Sequence, residues 1–254
     1  MIEISSKTND HFRRWMDLSS SRGIKKHGEF ILMGEKLIQE FLQNPNYKIK
    51  AEILHEDLKS VTLTHAVSKT QRIPIFKLPK ALFNEVDVVG THYNLLVLEP
   101  KTIEPLNAAA KPEGLEVIAP LGDPSNLGAL VRSAVAFKAN KIILTEESSS
   151  PYHPKAIKAS AGALLKIPLY KTGKFLEFVQ TNNDIYALDM KGENVAKFNW
   201  PKNLRLVIGE EGPGFSGVKG LNRLSVPTDG IESLNATVAA SIALFSYAQK
   251  HSYY

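Results

Sequence analysis

Cysteine is missing from this chain of 254 residues, and long apolar runs are missing too. The lack of cysteine excludes disulfides, thiolate zinc sites and a cysteine nucleophile, and it suits a reducing cytosol. No apolar run reaches the roughly 18–20 residues of a membrane helix, and the first residues lack the apolar core of a secretion signal. The histidines show no metal-ligand spacing. We therefore expect a cytoplasmic protein with no membrane partner and no metal.

The charge balance of the chain is only mildly basic. The formal net charge is +5, with 43% hydrophobic and 22% charged residues, which is ordinary for a globular protein. Because phosphate contacts dominate the affinity of proteins for nucleic acids, a basic chain is compatible with an RNA partner. The excess of positive charge is too small to decide this question by itself.

Residues 1–100 predict a small α/β domain. The segments EFILM, AEILH, PIFKL and NLLVLEP have the apolar pattern of short strands, and EKLIQEFLQ has helical spacing. The basic start of the chain predicts a short helix that is capped by Asn9 or Thr8. Phe12 and Trp15 on this helix have two interpretations: they stack on RNA bases, or they belong to the core.

A segment rich in proline and alanine, residues 101–114, predicts a linker between two domains. From 115 to 254, short apolar strands alternate with helices, which predicts an α/β domain with a parallel sheet covered on both faces. Ligands of such sheets bind beyond the carboxyl ends of the strands. The loops that follow the strands are therefore the place to look for a site.

The first unusual loop is LGDPSNLGALVRSAVAF, in which a helix is predicted to begin near Asn126. Arg132 stands inside this helix among apolar residues, and a charge in such surroundings usually needs a partner. Gly128 allows a close approach of another backbone. The alternative is an ordinary capped helix with an exposed arginine.

Two further loops combine glycine with acidic or amide side chains. The strand of LVIGEEGPGFSG runs into four glycines, with Glu210 and Glu211 between them and without the lysine of a P-loop. The two carboxylates disfavour a phosphate and suit a neutral or cationic ligand or pairing with an arginine, and the alternative is a tight surface turn. In VPTDGIESLNATVAAS, the residues Glu232, Ser233 and Asn235 stand at the start of the most apolar helix. Helix capping explains one of Ser233 and Asn235, but not the whole cluster.

Taken together and in this order, these loops resemble the three motifs of the SpoU (TrmH-type) class of RNA ribose methyltransferases in the SPOUT superfamily. DPSNLGALVRSAVAF has the N-x-G-x-x-x-R core of motif 1, and LVIGEEGPGFS has the G-x-E-G-x-G pattern of motif 2. VPTDGIESLNATVAASIALF has the proline turn, the S-L-N triplet and the small-residue helix of motif 3. The resemblance covers the chain from about residue 115 to 250.

The resemblance implies a fold, a cofactor and an assembly. The fold is a parallel α/β domain, residues 115–254, whose C-terminal chain is threaded into a trefoil knot, a feature almost absent from other proteins. The cofactor is S-adenosylmethionine, with no metal. The assembly is a homodimer with the active site at the subunit interface. Residues 1–100 look like the small α/β (L30e-like) domain with which many members bind their RNA substrate.

The resemblance also assigns residues to the site. Motif matches imply catalytic roles for Arg132, Asn126, Glu211, Ser233 and Asn235. The positions that hold the cofactor correspond to Gly209, Val226, Leu234, Gly212 and Gly214. Two features depart from the family pattern: Glu210 stands where asparagine is common, and the turn 226–230 is one residue shorter than usual.

The implied reaction is methylation of a ribose 2′-hydroxyl in rRNA or tRNA. The methyl sulfonium is already activated, so the protein has to orient the hydroxyl and help its proton leave. Arginine suits the stabilisation of a developing alkoxide better than proton abstraction. Contacts with RNA are predicted at Arg13, Arg14, Arg22, Lys25 and Lys26, and Lys155 and Lys158 form a second, weaker patch.

Three other functions are weighed against this one. An RNA-binding protein of the same fold without catalysis, and a base methyltransferase of the same superfamily, both remain alternatives. A Rossmann-type oxidoreductase is disfavoured, because the strand LEVIAPL is followed by GDPSNLG and not by a G-x-G-x-x-G fingerprint.

Overall fold

The chain forms two units, each built around a sheet of its own. Unit 1 contains residues 1–102 and 150–162, and unit 2 contains residues 103–149 and 163–254. This computed structural model describes residues 1–64, 73–107, 109–182, 185–209, 215, 218–219, 221–231 and 233–251.

The sheet of unit 1 is mixed. Its described strands are β1 (Ile2–Glu3), β2 (Phe30–Leu32), β3 (Ile49–His55), β4 (Ile75–Leu78) and β5 (Leu95–Leu98). They lie in the order β1-β4-β3-β5-β2, in which β4 is parallel to β1 and β3, while β5 is antiparallel to β3 and β2. The helices from the first part of the chain are α1 (Asp10–Asp17), α2 (Ser21–His27), α3 (Glu35–Gln43), α4 (Val61–Thr64) and α5 (Lys80–Val86).

Helix α1 shows why its two aromatic residues cannot meet RNA. Asn9 caps the helix, because its side-chain oxygen accepts a hydrogen bond of 2.9 Å from the backbone N–H of His11. Phe12 and Trp15 are each only 3% exposed and pack in the core with Phe76. The core interpretation of this amphipathic helix is therefore confirmed, and base stacking by Phe12 and Trp15 is wrong.

The sheet of unit 2 is parallel in every pairing between described strands, as predicted. Its strands are β6 (Glu104–Pro105), β7 (Leu115–Ile118), β8 (Lys141–Leu144), β9 (Leu169–Lys171), β10 (Ile185–Asn194), β11 (Leu204–Ile208) and β12 (Asn222–Ser225). Their order is β12-β10-β11-β7-β8-β9-β6. The helices of this unit are α6 (Pro124–Ala136), α8 (Phe175–Gln180) and α9 (Ala236–His251), with a 3₁₀ turn at Ala163–Leu165.

The order of the strands locates the place where a ligand is expected. From β7 the chain proceeds through α6 to β8, whereas from β11 it proceeds in the opposite direction across the sheet to β12. The neighbouring strands β7 and β11 therefore form a topological switch point. In open α/β sheets, a crevice for ligands opens beyond the carboxyl ends of such strands.

One segment between β8 and β9 belongs to unit 1 by its contacts. Helix α7 (Pro154–Ala159) packs against β2, and the Tyr152 ring lies 4.8 Å from that of Phe30. The single helix predicted from HPKAIKASAGALL is instead broken, because Ala161 and Gly162 both have positive φ angles, of 48° and 80°. Nothing in the local pattern of a helix specifies the sheet on which it packs.

The predicted boundaries 1–100, 101–114 and 115–254 did not anticipate two features. Besides the inserted segment 150–162, residues Glu104–Pro105 pair with β9 inside the predicted linker. Among the described residues, no helix is long and apolar enough to cross a membrane. The predicted knot would be formed by the C-terminal chain, where residues 210–214 lie outside the described residues, and it stays a prediction.

Candidate active site

The start of α6 differs from the prediction by about half a turn. Asp123 is the cap, and its carboxylate accepts a hydrogen bond of 2.8 Å from the backbone N–H of Asn126. Pro124 is the first helical residue, where its missing N–H costs nothing. Asn126 is therefore the third residue of the helix, and its side chain is partly exposed beside the carboxyl end of β7. The Asp-Pro pair was the sequence signal for this cap.

The segment between β7 and α6 is held by the loop after β8. The hydroxyl of Ser148 donates a hydrogen bond of 2.6 Å to the carbonyl of Ala119, and the backbone N–H of Ser149 donates one of 2.7 Å to the carbonyl of Leu121. Sequence reasoning missed both residues. The only signal for them was the run of serines at 148–150.

Arg132 is exposed, whereas Leu130, Val131 and Ala134 on the same helix are buried. The helix turns the arginine away from its apolar neighbours in the sequence, so the predicted need for a partner inside an apolar environment is wrong. Arg132 makes no hydrogen bond or ion pair with any residue that the structure describes. Its guanidinium group is thus presented to solvent on the helix that follows the switch-point strand.

The glycine-rich loop after β11 is partly described. The Phe215 ring packs so closely on Gly209 that a Cβ atom at Gly209 would lie 2.8 Å from its Cζ atom. Phe215 is 5% exposed and also packs on Phe175. Arg223 on β12 donates hydrogen bonds to the carbonyls of Phe215, at 2.7 Å, and Val218, at 3.1 Å. Phe215 and Arg223 were not predicted as parts of the site.

The predicted residues Glu211, Gly212 and Gly214 lie outside the described residues, as does Glu210. Gly209 itself is partly exposed at the end of β11. What the structure establishes for this motif is therefore the anchoring of the loop at Gly209, Phe215 and Val218.

Motif 3 follows β12 and ends in the cap of α9. The side-chain oxygen of Asn235 accepts hydrogen bonds from the backbone N–H groups of Thr237, at 3.0 Å, and Val238, at 3.4 Å. It also accepts one of 2.6 Å from the Thr237 hydroxyl. Asn235 is thus the residue that the capping interpretation explains. Ser233 is exposed and has no such bond with a described residue.

The turn before Asn235 is closed by its own residues. The hydroxyl of Thr228 donates a hydrogen bond of 3.0 Å to the carbonyl of Ile231, and Gly230 has a φ of 73°, which favours glycine. Val226 and Leu234 on either side are partly exposed. The shortened turn is therefore an ordered loop at the carboxyl end of β12.

Helices α6 and α9 pack against each other and hold motifs 1 and 3 together. Ser133, next to Arg132, has its hydroxyl 2.8 Å from that of Ser241 on α9. The rings of Phe137 and Phe245 lie 5.7 Å apart. This pair of helices also leaves an apolar face exposed, which consists of Val135, Val238, Ile242 and Phe245.

The main buried charges of unit 2 lie at the amino ends of the strands, opposite the carboxyl ends where a ligand is expected. Arg205 donates hydrogen bonds of 2.9 Å to Glu116 and 2.8 Å to Asn182, and Lys141 forms an ion pair of 3.0 Å with Glu116. Glu116 and Arg205 are near the amino ends of β7 and β11, so this cluster stabilises the sheet away from the switch point. Within the described residues, no three histidine, aspartate or glutamate side chains form a metal-binding group.

The basic residues predicted to bind RNA all lie in unit 1, and some of them already have acidic partners. Arg14 pairs with the buried Glu29. Lys26 lies 3.0 Å from Asp17. Hydrogen bonds from His27 and Lys26 hold the pKa of the Asp17 carboxyl below its ordinary value.

The remaining predicted residues of this group are exposed. Arg13 lies as far as 4.0 Å from Asp10, whose side chain is fully exposed, so this ion pair contributes little to stability. Arg22 and Lys25 on α2 extend into solvent. Arg13, Arg22 and Lys25 therefore present their charges to solvent. The charges of Arg14 and Lys26 are partly compensated by acidic partners, which the sequence did not indicate.

The fold is an α/β fold whose parallel sheet has its candidate site at the switch point between β7 and β11. The chain belongs to the SpoU rRNA methylase family, whose model matches residues 116–245. This family membership accounts for the order and content of the three motifs.

Two relatives extend the similarity to the whole chain. The chain is 33% identical over 252 residues to "Ribosomal RNA small subunit methyltransferase G 2" of Syntrophobacter fumaroxidans. The matched region covers 98% of this chain but 50% of that protein. It is 25% identical to the "23S rRNA (guanosine(2553)-2'-O)-methyltransferase RlmP" of Bacillus subtilis, with 96% of this chain and 98% of that protein covered. The chain thus spans about half the length of the first relative and nearly all of the second.

A solved structure shows the same fold. The SpoU methyltransferase AviRb from Streptomyces viridochromogenes, in complex with the cofactor AdoMet, superimposes with a TM-score of 0.79 over 95% of this chain and 98% of that chain. The two sequences are 21% identical. This likeness includes both units and supports a SPOUT-type α/β fold for the chain.

Proposed function

We propose that the chain is an S-adenosylmethionine-dependent methyltransferase that modifies a ribose 2′-hydroxyl in rRNA or tRNA. The observation that carries the proposal is Arg132, exposed and without a partner among the described residues, on the helix that follows the switch-point strand β7. The family membership supports the reaction class. The Bacillus subtilis relative, a 2'-O-methyltransferase whose length the chain covers almost completely, supports the ribose hydroxyl as the target.

The loops that carry the three motifs have a composition that suits this cofactor. The described residues of the loops after β7, β11 and β12 contain Asp123, Asp229 and one basic residue, Lys219, so their formal charge is negative. Such a site suits a cationic sulfonium and disfavours a polyphosphate. Gly209, Val226 and Leu234 would hold the adenosyl group through backbone groups and apolar contacts, and Ile231, which is 57% exposed, adds apolar surface. When bound, the cofactor supplies an activated methyl group.

Arg132 would act on the ribose hydroxyl through its charge. Arginine stays protonated at neutral pH, so it stabilises a developing alkoxide and grips the adjacent phosphate through two parallel N–H groups. Because no described carboxylate neutralises it, the full charge is available. Glu211 of motif 2 is proposed as the residue that orients Arg132.

Asn126, Ser233 and Asn235 have positioning roles in this proposal. The Asn235 oxygen is committed to the cap of α9, so it fixes the loop that presents Ser233. The amide nitrogen of Asn235 would orient the target nucleotide together with Ser233. The exposed Ser233 hydroxyl would contact the target nucleotide. Asn126, in the first turn of α6, would contact the nucleotide from the side of motif 1.

A homodimer is part of the proposal, because the apolar face of α6 and α9 adjoins the site residues. Val135 follows Arg132 by one helical turn, and Val238 follows Asn235 in the same way. Val238 and Phe245 are 48% and 45% exposed, which is unusual for large apolar side chains on a helix. A second copy of the chain would cover this face and complete the site. The absence of cysteine supports a cytoplasmic location.

The decisive experiment is replacement of Arg132. For Arg132→Ala we expect the rate of methyl transfer to RNA to fall by about 10²–10³-fold, as for loss of one preorganised charge donor. Since Arg132 has no described partner, the free energy of unfolding should change by less than about 0.5 kcal/mol. The binding of S-adenosylmethionine, measured by calorimetry, should be nearly unchanged.

Two further variants sharpen this test. Arg132→Lys keeps the charge and loses the paired donors, so it should retain only part of the activity. Ser125→Ala, an exposed neighbour on α6, is the matched control and should be fully active. Full activity of Arg132→Ala would overturn the assignment. A wild-type chain that binds RNA and cofactor without methyl transfer would favour the RNA-binding alternative.

A further inference from the structure

Two basic stretches that contribute to unit 1 contain no acidic residue. Residues 18–28 contain Arg22, Lys25 and Lys26, and residues 148–176 contain Lys155 and Lys158, without any aspartate or glutamate in either stretch. The second stretch lies in the catalytic half of the sequence, but its part 150–162 belongs to unit 1. Both stretches therefore contribute to the surface of the same unit.

Contacts inside unit 1 bring these stretches together. The backbone N–H of Ser150 donates a hydrogen bond of 3.0 Å to the hydroxyl of Ser21, the first residue of α2. Helix α7 packs against β2, the strand that comes directly after α2. We call the exposed side of these two helices the α2–α7 surface, which consists of Arg22, Lys25, Lys155 and Lys158.

The charges of this surface are mostly uncompensated. Asp17 is occupied by Lys26 and His27, and Glu29 by Arg14. The ammonium group of Lys158 donates a hydrogen bond of 3.1 Å to the backbone carbonyl of Val89. A carbonyl orients an ammonium group without cancelling its charge.

The same helices have no exposed large apolar residue. Gly23 and Ile24 of α2, and Ala156 and Ile157 of α7, are buried. The surface therefore has the composition of a phosphate-binding face, and it lacks the apolar anchors that a protein partner or a lipid surface requires.

We propose that the α2–α7 surface binds the phosphate backbone of the substrate RNA. In this proposal Lys155 adds a phosphate contact to those of the basic cluster in the N-terminal part of the chain. This inference rests on the proposed function, since it assigns a surface to the RNA of the same reaction. The substrate-recognition surface is then composite. It combines the N-terminal part of the chain with a segment that enters unit 1 from between two strands of the catalytic sheet.

The test is the salt dependence of RNA binding by the full chain. The probe is a labelled transcript of bacterial large-subunit ribosomal RNA, and the variants are Lys155→Glu and Lys25→Glu. The slope of log K against log salt is negative, and each lost phosphate contact should make it shallower by about 0.7–0.9. The losses should add in the double variant, because the two side chains would neutralise different phosphates.

A matched control is Lys80→Glu. Lys80 is an exposed lysine of unit 1 that follows β4, and β3 and β5 separate β4 from β2 in the sheet. Its reversal should leave the salt slope at the wild-type value. The proposal is overturned if Lys155→Glu behaves like Lys80→Glu while both variants melt like the wild type.

Methyl transfer separates this inference from the proposed function. For Lys155→Glu, the KM for RNA should rise while kcat at saturating RNA changes much less. Transfer by the wild type combined with an unchanged salt slope in Lys155→Glu would refute the surface and leave the function intact. A reduced slope in Lys155→Glu without any methyl transfer by the wild type to total ribosomal RNA and tRNA would refute the function and leave the surface intact.

Discussion

Asn235 offers a test that separates the stability of α9 from the chemistry of the site. Its side-chain oxygen accepts hydrogen bonds from two backbone N–H groups and one hydroxyl at the start of the helix. Asn235→Ala removes this acceptor entirely. Asn235→Asp retains an acceptor in the same position, but it replaces the amide N–H₂ group with a negatively charged oxygen.

The expected effects on stability follow from the cap. Loss of an N-cap costs about 0.5–2 kcal/mol of the free energy of unfolding, which lowers the Tm by roughly 2–4 °C per kcal/mol for a chain of this size. The aspartate variant should keep the wild-type Tm or exceed it slightly, because a negative charge near a helix N-terminus contributes about 0.3–1 kcal/mol. Ser233→Ala should leave the Tm unchanged, since Ser233 is exposed.

The effects on activity should follow a different order. Asn235→Asp should lose about tenfold or more in methyl transfer, because it lacks the amide donor and repels the phosphate and the developing alkoxide. Calorimetric melting at one fixed protein concentration measures the first effect, and methyl transfer to RNA measures the second. A wild-type Tm for Asn235→Ala would contradict the stabilising role of the cap. The nucleotide-orienting role fails if Asn235→Asp is fully active.

The remaining predictions concern the cofactor loop and the subunit interface. Gly209→Ala should weaken S-adenosylmethionine binding and cost about 1–3 kcal/mol of stability, because its Cβ would meet the Phe215 ring at 2.8 Å. Phe215→Leu in the same background should restore part of the affinity and part of the stability. An affinity of Gly209→Ala equal to that of the wild type, measured by calorimetry, would contradict this prediction. Phe245→Glu should convert the proposed dimer into monomers, as measured by sedimentation, and should lose methyl transfer. Leu176→Glu on α8, where the apolar side chain is 54% exposed against 45% for Phe245, should stay dimeric.

Local patterns predicted much of unit 2 correctly. The apolar strands at β7 and β11 and the helix that carries Arg132 were all read from periodicity. Such patterns succeed because a strand buried on both faces is predominantly apolar, whatever it packs against. The start of α6 was misplaced only because the capping signal of Asp123 and Pro124 was not used.

Other features were beyond the reach of local patterns. Phe12 and Trp15 are ambiguous in the sequence, because an aromatic residue on an amphipathic helix suits both a core and a nucleic-acid surface. The pairing of Glu116 with Arg205 joins two strands that lie far apart in the chain, and the sequence places each of them next to apolar residues alone. The strand order decides which charged residues become neighbours, and the spacing of apolar residues within one segment does not encode that order.

The sequence by itself determined the class of the fold, the family motifs and the residues on which the candidate chemistry depends, because caps, glycine turns and apolar periods are local consequences of residue type. Only the tertiary structure decided that β7 lies beside β11, that Arg132 faces solvent, and that α7 contributes its lysines to unit 1. These outcomes depend on which buried faces fit each other across the folded chain, so they appear only when the distant segments meet.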